Sequence, residues 1–161
     1  MRPSIEVRVA PRREAGEVVR LLAAFRDFYG EDTPADELIA TTVERLFDDP
    51  GTEYLLAGDP PVGVVQLRYR LSAWTGVDDA WIEDAFVLEQ ARGQGIGRAL
   101  IEASIERARA RGCARIQLDA YERNAPALEL YGSLGFESGS PGRWEGAKDL
   151  YFTKWLRDEG E

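Results

Sequence analysis

The sequence predicts an α/β fold, a three-layer sandwich with helices on both faces of a mixed, mostly antiparallel sheet. Three observations carry that expectation. Segments with a two-residue apolar alternation are interleaved with segments of helical spacing, in the order β-α-α-β-β-β-α-β-α-β-β. Helical segments lie on both sides of the central strands in that order. The chain of 161 residues, 44% hydrophobic and 30% charged, suits one globular domain spanning 1–161. No repeat, low-complexity tract or interdomain linker interrupts it.

Residues 5–9 alternate as a first strand, and Pro11 breaks it. Residues 14–29 have the spacing of an amphipathic helix with Val18, Leu21, Leu22, Phe25 and Phe28 or Tyr29 inward, stopped by Gly30. Thr33-Pro34 opens a second helix, about 35–47, with Leu38, Ile39, Val43, Leu46 and Phe47 as its apolar stripe. Pro50-Gly51 stops that helix. Residues 54–57 and 62–71 form a hairpin around Gly58-Asp59-Pro60-Pro61. A loop, 72–79, carries Trp74 and Gly76 and leads into a third consecutive antiparallel strand, 81–87.

That strand holds the acidic pair Glu83 and Asp84 and is followed by Arg92-Gly-Gln-Gly-Ile-Gly97. From Arg98 the spacing is helical, with Leu100, Ile101, Ser104, Ile105 and Ala108 on one side and Glu102, Glu106, Arg107 and Arg109 on the other. Arg111-Gly112 caps it, 114–120 is a buried strand, and Asn124 starts a helix with Pro126 in its first turn. Gly135 ends that helix, Phe136 begins a strand, 138–142 is a turn, and 150–155 is a last strand before a charged, frayed tail at 157–161.

Composition excludes several classes of function. The chain contains no histidine, which removes Ser-His-Asp and Cys-His machinery and most transition-metal sites. Its one cysteine, Cys113, rules out an intramolecular disulfide and a Cys-based zinc site, so no metal is expected. At a helix–strand junction Cys113 is a small buried residue rather than a nucleophile. The net charge of −9 argues against a nucleic-acid partner. It suits a cationic substrate and equally suits simple solubility. No apolar run spans a bilayer and no signal pattern opens the chain, so no membrane partner and a cytoplasmic location are expected.

A strand, a Gly-rich turn and a helix start make an anion site, because glycines let backbone approach the ligand and the first helical N–H groups point at it. A Walker loop would end in Gly-Lys-Ser/Thr, but Arg98 and Ala99 follow Gly97. A dinucleotide fingerprint would put a glycine at position 98. What stands here is Arg-x-x-Gly-x-Gly, after Ile82-Glu83-Asp84 and Val87. The stretch resembles the acetyl-CoA motif of the GCN5-related N-acetyltransferases. A second motif agrees: Asn124, Ala127, Tyr131, Gly135 and Phe136 fill the family's Asn-x-x-Ala-x-x-x-Tyr-x-x-x-Gly-Phe. The element order also resembles this family's fold along nearly the whole chain.

The resemblance implies acetyl-CoA as co-substrate, a sheet splayed at its centre, and a set of site residues. The coenzyme A pyrophosphate would lie on backbone N–H groups of the loop Gly93, Gln94, Gly95, Ile96, Gly97 and Arg98, with Arg92 and Arg98 adding charge-assisted bonds. Arg98 could equally be a solvated helix residue. The pantetheine arm would pair with strand backbone at Phe86 and Val87, where the Val87 N–H polarises the thioester carbonyl. Tyr131 takes the place of the general acid that protonates the departing thiolate, its other reading being a core aromatic. Asn124 is a helix cap, a coenzyme A contact, or both.

Glu83 and Asp84 point to opposite faces of a regular strand. The IEDAFV spelling resembles the polyamine and diamine branch of the family, in which the glutamate at Glu83's place faces the acceptor. A carboxylate there attracts the ammonium and collects its proton, with Asp84 as a second cation contact. A solvated acidic face is the plain alternative. The family often has proline where Glu89 stands, which implies a different turn into the loop.

The expected reaction is direct acetyl transfer to a primary amine of a small cationic acceptor in a ternary complex. A protein N-terminus or lysine is the second acceptor class. A non-catalytic acyl-CoA sensor on the same fold is the rival from another class. Dimerisation is common in the family, so a homodimer is an expectation from the resemblance. Selectivity is expected from the first two helices, the 72–79 loop and the 138–148 segment, where Trp74 and Trp144 could stack on a cation or merely pack.

Overall fold

The computed structural model describes residues 4–121, 123–138 and 149–156. Of the predicted turn at 138–142 and the 138–148 segment only Ser138 is described, so 139–148 with Trp144, and the tail at 157–161, lie outside the described residues. The elements are β1 (Val7–Val9), α1 (Ala15–Phe28), α2 (Asp36–Phe47), β2 (Thr52–Ala57), β3 (Gly63–Leu71), β4 (Asp78–Val87), α3 (Ile96–Ala110), β5 (Arg115–Tyr121), α4 (Ala125–Ser133), β6 (Glu137–Ser138) and β7 (Asp149–Trp155). This is the order the periodicity predicts, and the fold is α/β with a mixed sheet. The chain divides into two compact units, Met1–Arg68 with Glu83–Ser104, and Tyr69–Ile82 with Ile105–Glu161.

In the first unit the strands run in the order β1-β2-β3-β4. β1 pairs antiparallel with β2 from Val7↔Ala57 to Val9↔Leu55, and β2 with β3 from Thr52↔Arg68 to Ala57↔Gly63. Tyr54, Leu55, Leu56 and Ala57 are all buried, so β2 is covered on both faces. On one face Tyr54, Leu56, Val64 and Phe86 meet Val18 and Leu21 of α1 and Ile39 and Val43 of α2. On the other, α3 comes so close that a Cβ on Gly63 would lie 2.8 Å from Leu100 Cδ1 and 3.1 Å from Ile96 Cγ2. Glycine at 63 is what lets helix and strand pack at that distance.

Two helix faces differ from the sequence reading. Phe28, Tyr29 and Leu38, placed inward by periodicity, are exposed at 45%, 63% and 58%. Helical spacing shows which residues share a stripe but not how far the covering sheet extends. Pro34 lies just before α2, as expected, and the N-cap is Ala35, which makes no side-chain cap. Arg26 makes up the join: its guanidinium donates to the Pro34 carbonyl at 2.8 Å and to Asp36 at 2.6 Å. Trp74 is 93% exposed, so it does not pack.

The second unit carries the strand order β4-β5-β7-β6. β5 runs parallel to β4 at Ala80↔Ile116 and Trp81↔Gln117, a ladder two residue pairs long. β7 pairs antiparallel with β5 from Arg115↔Trp155 to Tyr121↔Asp149. Ile105 and Ala108 of α3 are buried, as are Ile116 and Leu118, and Cys113 is buried as expected. Arg115 pairs with the buried Asp79 at 2.8 Å. No helix among the described residues is long and apolar enough to cross a membrane. Nor do those residues hold a group of His, Cys, Asp or Glu that could bind a metal ion.

Candidate active site

The Gly-rich turn adopts the backbone its spelling calls for. Gly93 and Gly95 have φ of +78° and +83°, a region that side chains other than glycine seldom enter. Gly97 has no such φ and is already helical, because α3 begins at Ile96. The first helical hydrogen bond runs from Ala99 N–H to the Gly95 carbonyl at 3.0 Å. Helix geometry therefore leaves the N–H groups of Ile96 and Gly97 without a carbonyl one turn back, at the positive end of a 15-residue helix. That cradle fits a pyrophosphate.

The loop also borders a cavity of about 730 Å³ lined by Ser4, Ile5, Glu6, Gly58 and Asp59 with Gly93, Gln94 and Ile96. Glu6 and Asp59 make that side acidic, so like-charge repulsion disfavours a phosphate there and favours the helix end.

Several predicted side chains are already engaged. The Ile96 side chain is buried against α3's approach to Gly63, and the Phe86 ring is buried 5.0 Å from Phe25, so each has only its backbone to offer a cofactor. Arg98 pairs with Glu102 one turn along the helix at 3.2 Å. Arg92 differs most from its expected phosphate role. Its Nε donates to the Val87 carbonyl at 3.1 Å, and its guanidinium lies 4.3 Å from the centre of the Phe28 ring. Adjacent strand residues point their backbone groups to opposite edges. Leu88 N–H bonds to Val62 on the β3 side, so the Val87 N–H and C=O face the other edge. Arg92 thus fixes the strand end that carries the Val87 N–H.

The acidic pair is split by the strand. Phe86 faces α1 and α2, and Asp84, two residues earlier, faces the same way. Asp84 is partly buried on the wall of a cavity of about 670 Å³, whose sides are α1 and α2 residues such as Leu22, Phe25, Leu38 and Leu46. Tyr54 and Gln66, cross-strand partners on β2 and β3, complete its polar floor. Glu83 is exposed and does not line this cavity. Sequence reasoning named neither Tyr54 nor Gln66, because each sits in an ordinary apolar strand. Only a polar residue at an inward position of β3 could have signalled Gln66.

In the second unit, the Asn124 side chain caps α4 by accepting from Ala127 N–H at 3.3 Å. Tyr131, one turn further on, is half-buried with its ring 5.9 Å from both Phe136 and Phe152. Gly135, at φ +88°, turns the chain from α4 into β6.

An α/β fold with a Gly-rich loop leading from a strand end into a helix N-terminus is the frame of a coenzyme-binding transferase. Residues 18–136 match the model of the acetyltransferase (GNAT) family, and the chain belongs to that family. It is an acetyl-CoA-dependent N-acetyltransferase. It is 29% identical to thialysine N-epsilon-acetyltransferase of Mus musculus, over 98% of this chain and 94% of that one. Among solved structures it resembles a GNAT-family acetyltransferase from Streptococcus pneumoniae, with TM-score 0.73 and 22% identity over 95% and 100% of the two chains. It also resembles a Salmonella typhimurium protein solved with its cofactor acetyl-CoA, with TM-score 0.75 and 15% identity over 99% and 98%.

Proposed function

We propose that the enzyme transfers the acetyl group of acetyl-CoA to the primary amine of a small cationic acceptor, by direct attack within a ternary complex. The observation that carries this reading is Asp84. It lies on the wall of the α1–α2 cavity, on the same strand and three residues before the backbone that would hold the thioester. The similarity to a thialysine N-epsilon-acetyltransferase supports an amine acceptor.

Acetyl-CoA supplies the activated acyl group. The chain's own residues orient it and manage protons. The amides of Gln94, Gly95, Ile96, Gly97 and Arg98 would hold the pyrophosphate, and the backbone of Phe86 and Val87 the pantetheine arm. The Val87 N–H would polarise the thioester carbonyl. Asp84 would hold the ammonium. Asp84, on the acceptor's side of the strand, would also take its proton directly or through water before attack, while Glu83 is exposed on the opposite face. Tyr131 would protonate the leaving thiolate, and Asn124, whose oxygen is spent on the cap, would offer its amide N–H₂ to the coenzyme. The sole cysteine is buried, which fits a mechanism without an acyl-enzyme.

The test is release of free thiol from acetyl-CoA with a panel of amines and a lysine peptide, each product identified by mass. Acetylated small amines support the reading. Peptide acetylation alone would replace it, and coenzyme binding without turnover would leave an acyl-CoA sensor.

A further inference from the structure

We infer that Gln66 selects the acceptor: its carboxamide N–H₂ donates to a neutral oxygen, of a hydroxyl, ether or carbonyl, that the acceptor carries a short way from its amine. This rests on the acetyl-transfer reading and deepens it by naming the acceptor class, oxygen-bearing amines. Gln66 lies on β3, two residues along from the core residue Val64, and is buried to 4% exposure on the floor of the α1–α2 cavity. Its carboxamide makes no hydrogen bond among the described residues. Its cross-strand neighbour Tyr54 does not bond it, because the Tyr54 hydroxyl has no partner either. The two groups differ in access. The Tyr54 hydroxyl is the one partnerless side-chain atom among the described residues that has no accessible surface, so the Gln66 amide still opens on the cavity it lines. A carboxamide has two N–H donors and an oxygen to satisfy, and each left unmet in a buried place costs free energy. A partnerless one at 4% exposure on a cavity wall points to a ligand group.

The rest of the lining decides which kind of group. Asp84 and Glu31 are carboxylates, and Thr33 and Thr42 add hydroxyl oxygens, so the cavity is well supplied with acceptors for ammonium protons. Side-chain N–H donors on the lining, among the described residues, are those of Arg26 and Gln66. Arg26 is committed: its guanidinium bonds the Pro34 carbonyl, Asp27 and Asp36. Gln66 is thus the uncommitted N–H donor. An ammonium has no lone pair to accept from it, and an alkyl chain has none, but a neutral oxygen has two. The sheet sets the spacing. β3 and β4 are neighbours, and neighbouring strands lie about 5 Å apart. An amine at Asp84 and an oxygen at Gln66 are then separated by about three carbons of an extended chain.

The experiment measures thiol release from acetyl-CoA with two matched pairs of amines: terminal aminopropanol against butylamine, and methoxypropylamine against pentylamine. Within each pair one carbon is exchanged for an oxygen at that spacing. The oxygen-bearing amine should exceed its partner in kcat/KM by about tenfold, the scale of one hydrogen bond left unmade at a buried site. The ether pair is decisive, since an ether oxygen accepts a hydrogen bond and cannot donate one. Gln66→Met and Gln66→Leu put an apolar group of similar size in place of the amide and should close both gaps. Their acetyl-CoA Kd should not change, and their melting temperature should hold or rise, because a partnerless buried amide is gone. Equal kcat/KM within the wild-type ether pair, or a gap that survives in a folded Gln66 variant, overturns this inference and leaves acetyl transfer standing. A protein that binds acetyl-CoA and releases no thiol with any of the four amines overturns both.

Discussion

At residues 93–98 the protein offers a ligand its backbone, and in the α1–α2 cavity it offers side chains. The loop needs little from distant residues: two glycines at positive φ and a helix start supply directed N–H groups within a few consecutive positions. The cavity draws on two helices and three strands: Tyr54, Gln66 and Asp84 come one from each strand, and Arg26, Glu31 and Thr42 come from the helical side. On the proposed reading, this difference follows from what each site would bind. A pyrophosphate is the same in every turnover and is matched by peptide dipoles, which no substitution at a neighbouring position removes. An acceptor is recognised by shape and charge, which only side chains vary.

If that contrast is right, the largest effect comes from a glycine in the loop. Gly95→Val should abolish measurable coenzyme A binding in calorimetry, because φ +83° is closed to a β-branched residue. Gly97→Val should cost less, since position 97 is helical and only the close approach of the ligand is at stake. Equal losses would show that approach, rather than backbone conformation, is what the glycines provide.

Next in size is Tyr131→Phe, which tests whether a side chain can matter as much to chemistry as the loop does to binding. It should lower kcat by about 10²–10⁴ with coenzyme affinity unchanged. An unchanged kcat with chemistry rate-limiting would leave Tyr131 as the aromatic that packs on Phe136 and Phe152.

The acidic pair divides the cavity from its surroundings. Asp84→Asn should raise KM for a cationic acceptor roughly tenfold, the usual scale for a partly solvated charge pair, and leave a neutral amine alone. Glu83→Gln, on the face away from the cavity, should change both KM and the acidic limb of the kcat/KM profile less than Asp84→Asn does. Steady-state kinetics across pH on both variants separates these roles. A larger KM effect from Glu83→Gln would return the acceptor to the other face of β4.

The smallest effect is expected at Arg92, which joins the two regions by bonding Val87 and stacking on Phe28 at the end of α1. Arg92→Gln should lower kcat about three- to tenfold, in line with one charge-assisted bond and one cation–π contact near the surface. The coenzyme Kd should stay within about twofold, and Phe28→Leu should lower kcat in the same direction. A large rise in Kd for Arg92→Gln alone would restore the phosphate role.

The sequence by itself determined the order of elements, the Gly-rich turn into α3 and the α4 cap. Each is a local matter. Apolar period follows from the pitch of a helix or the pleat of a strand, and Gly95 and Asn124 act on backbone within a few residues of themselves. The sequence also determined that Glu83 and Asp84 oppose each other, since a strand alternates. Which of them lines the α1–α2 cavity was decided by tertiary structure, because it depends on which face α1 and α2 cover. The same packing left Phe28 and Leu38 exposed beyond the edge of the core, turned Arg92 from phosphate to carbonyl and ring, and buried the Tyr54 hydroxyl on a cavity wall. These outcomes depend on contacts between residues far apart in the chain, and local periodicity carries no record of them.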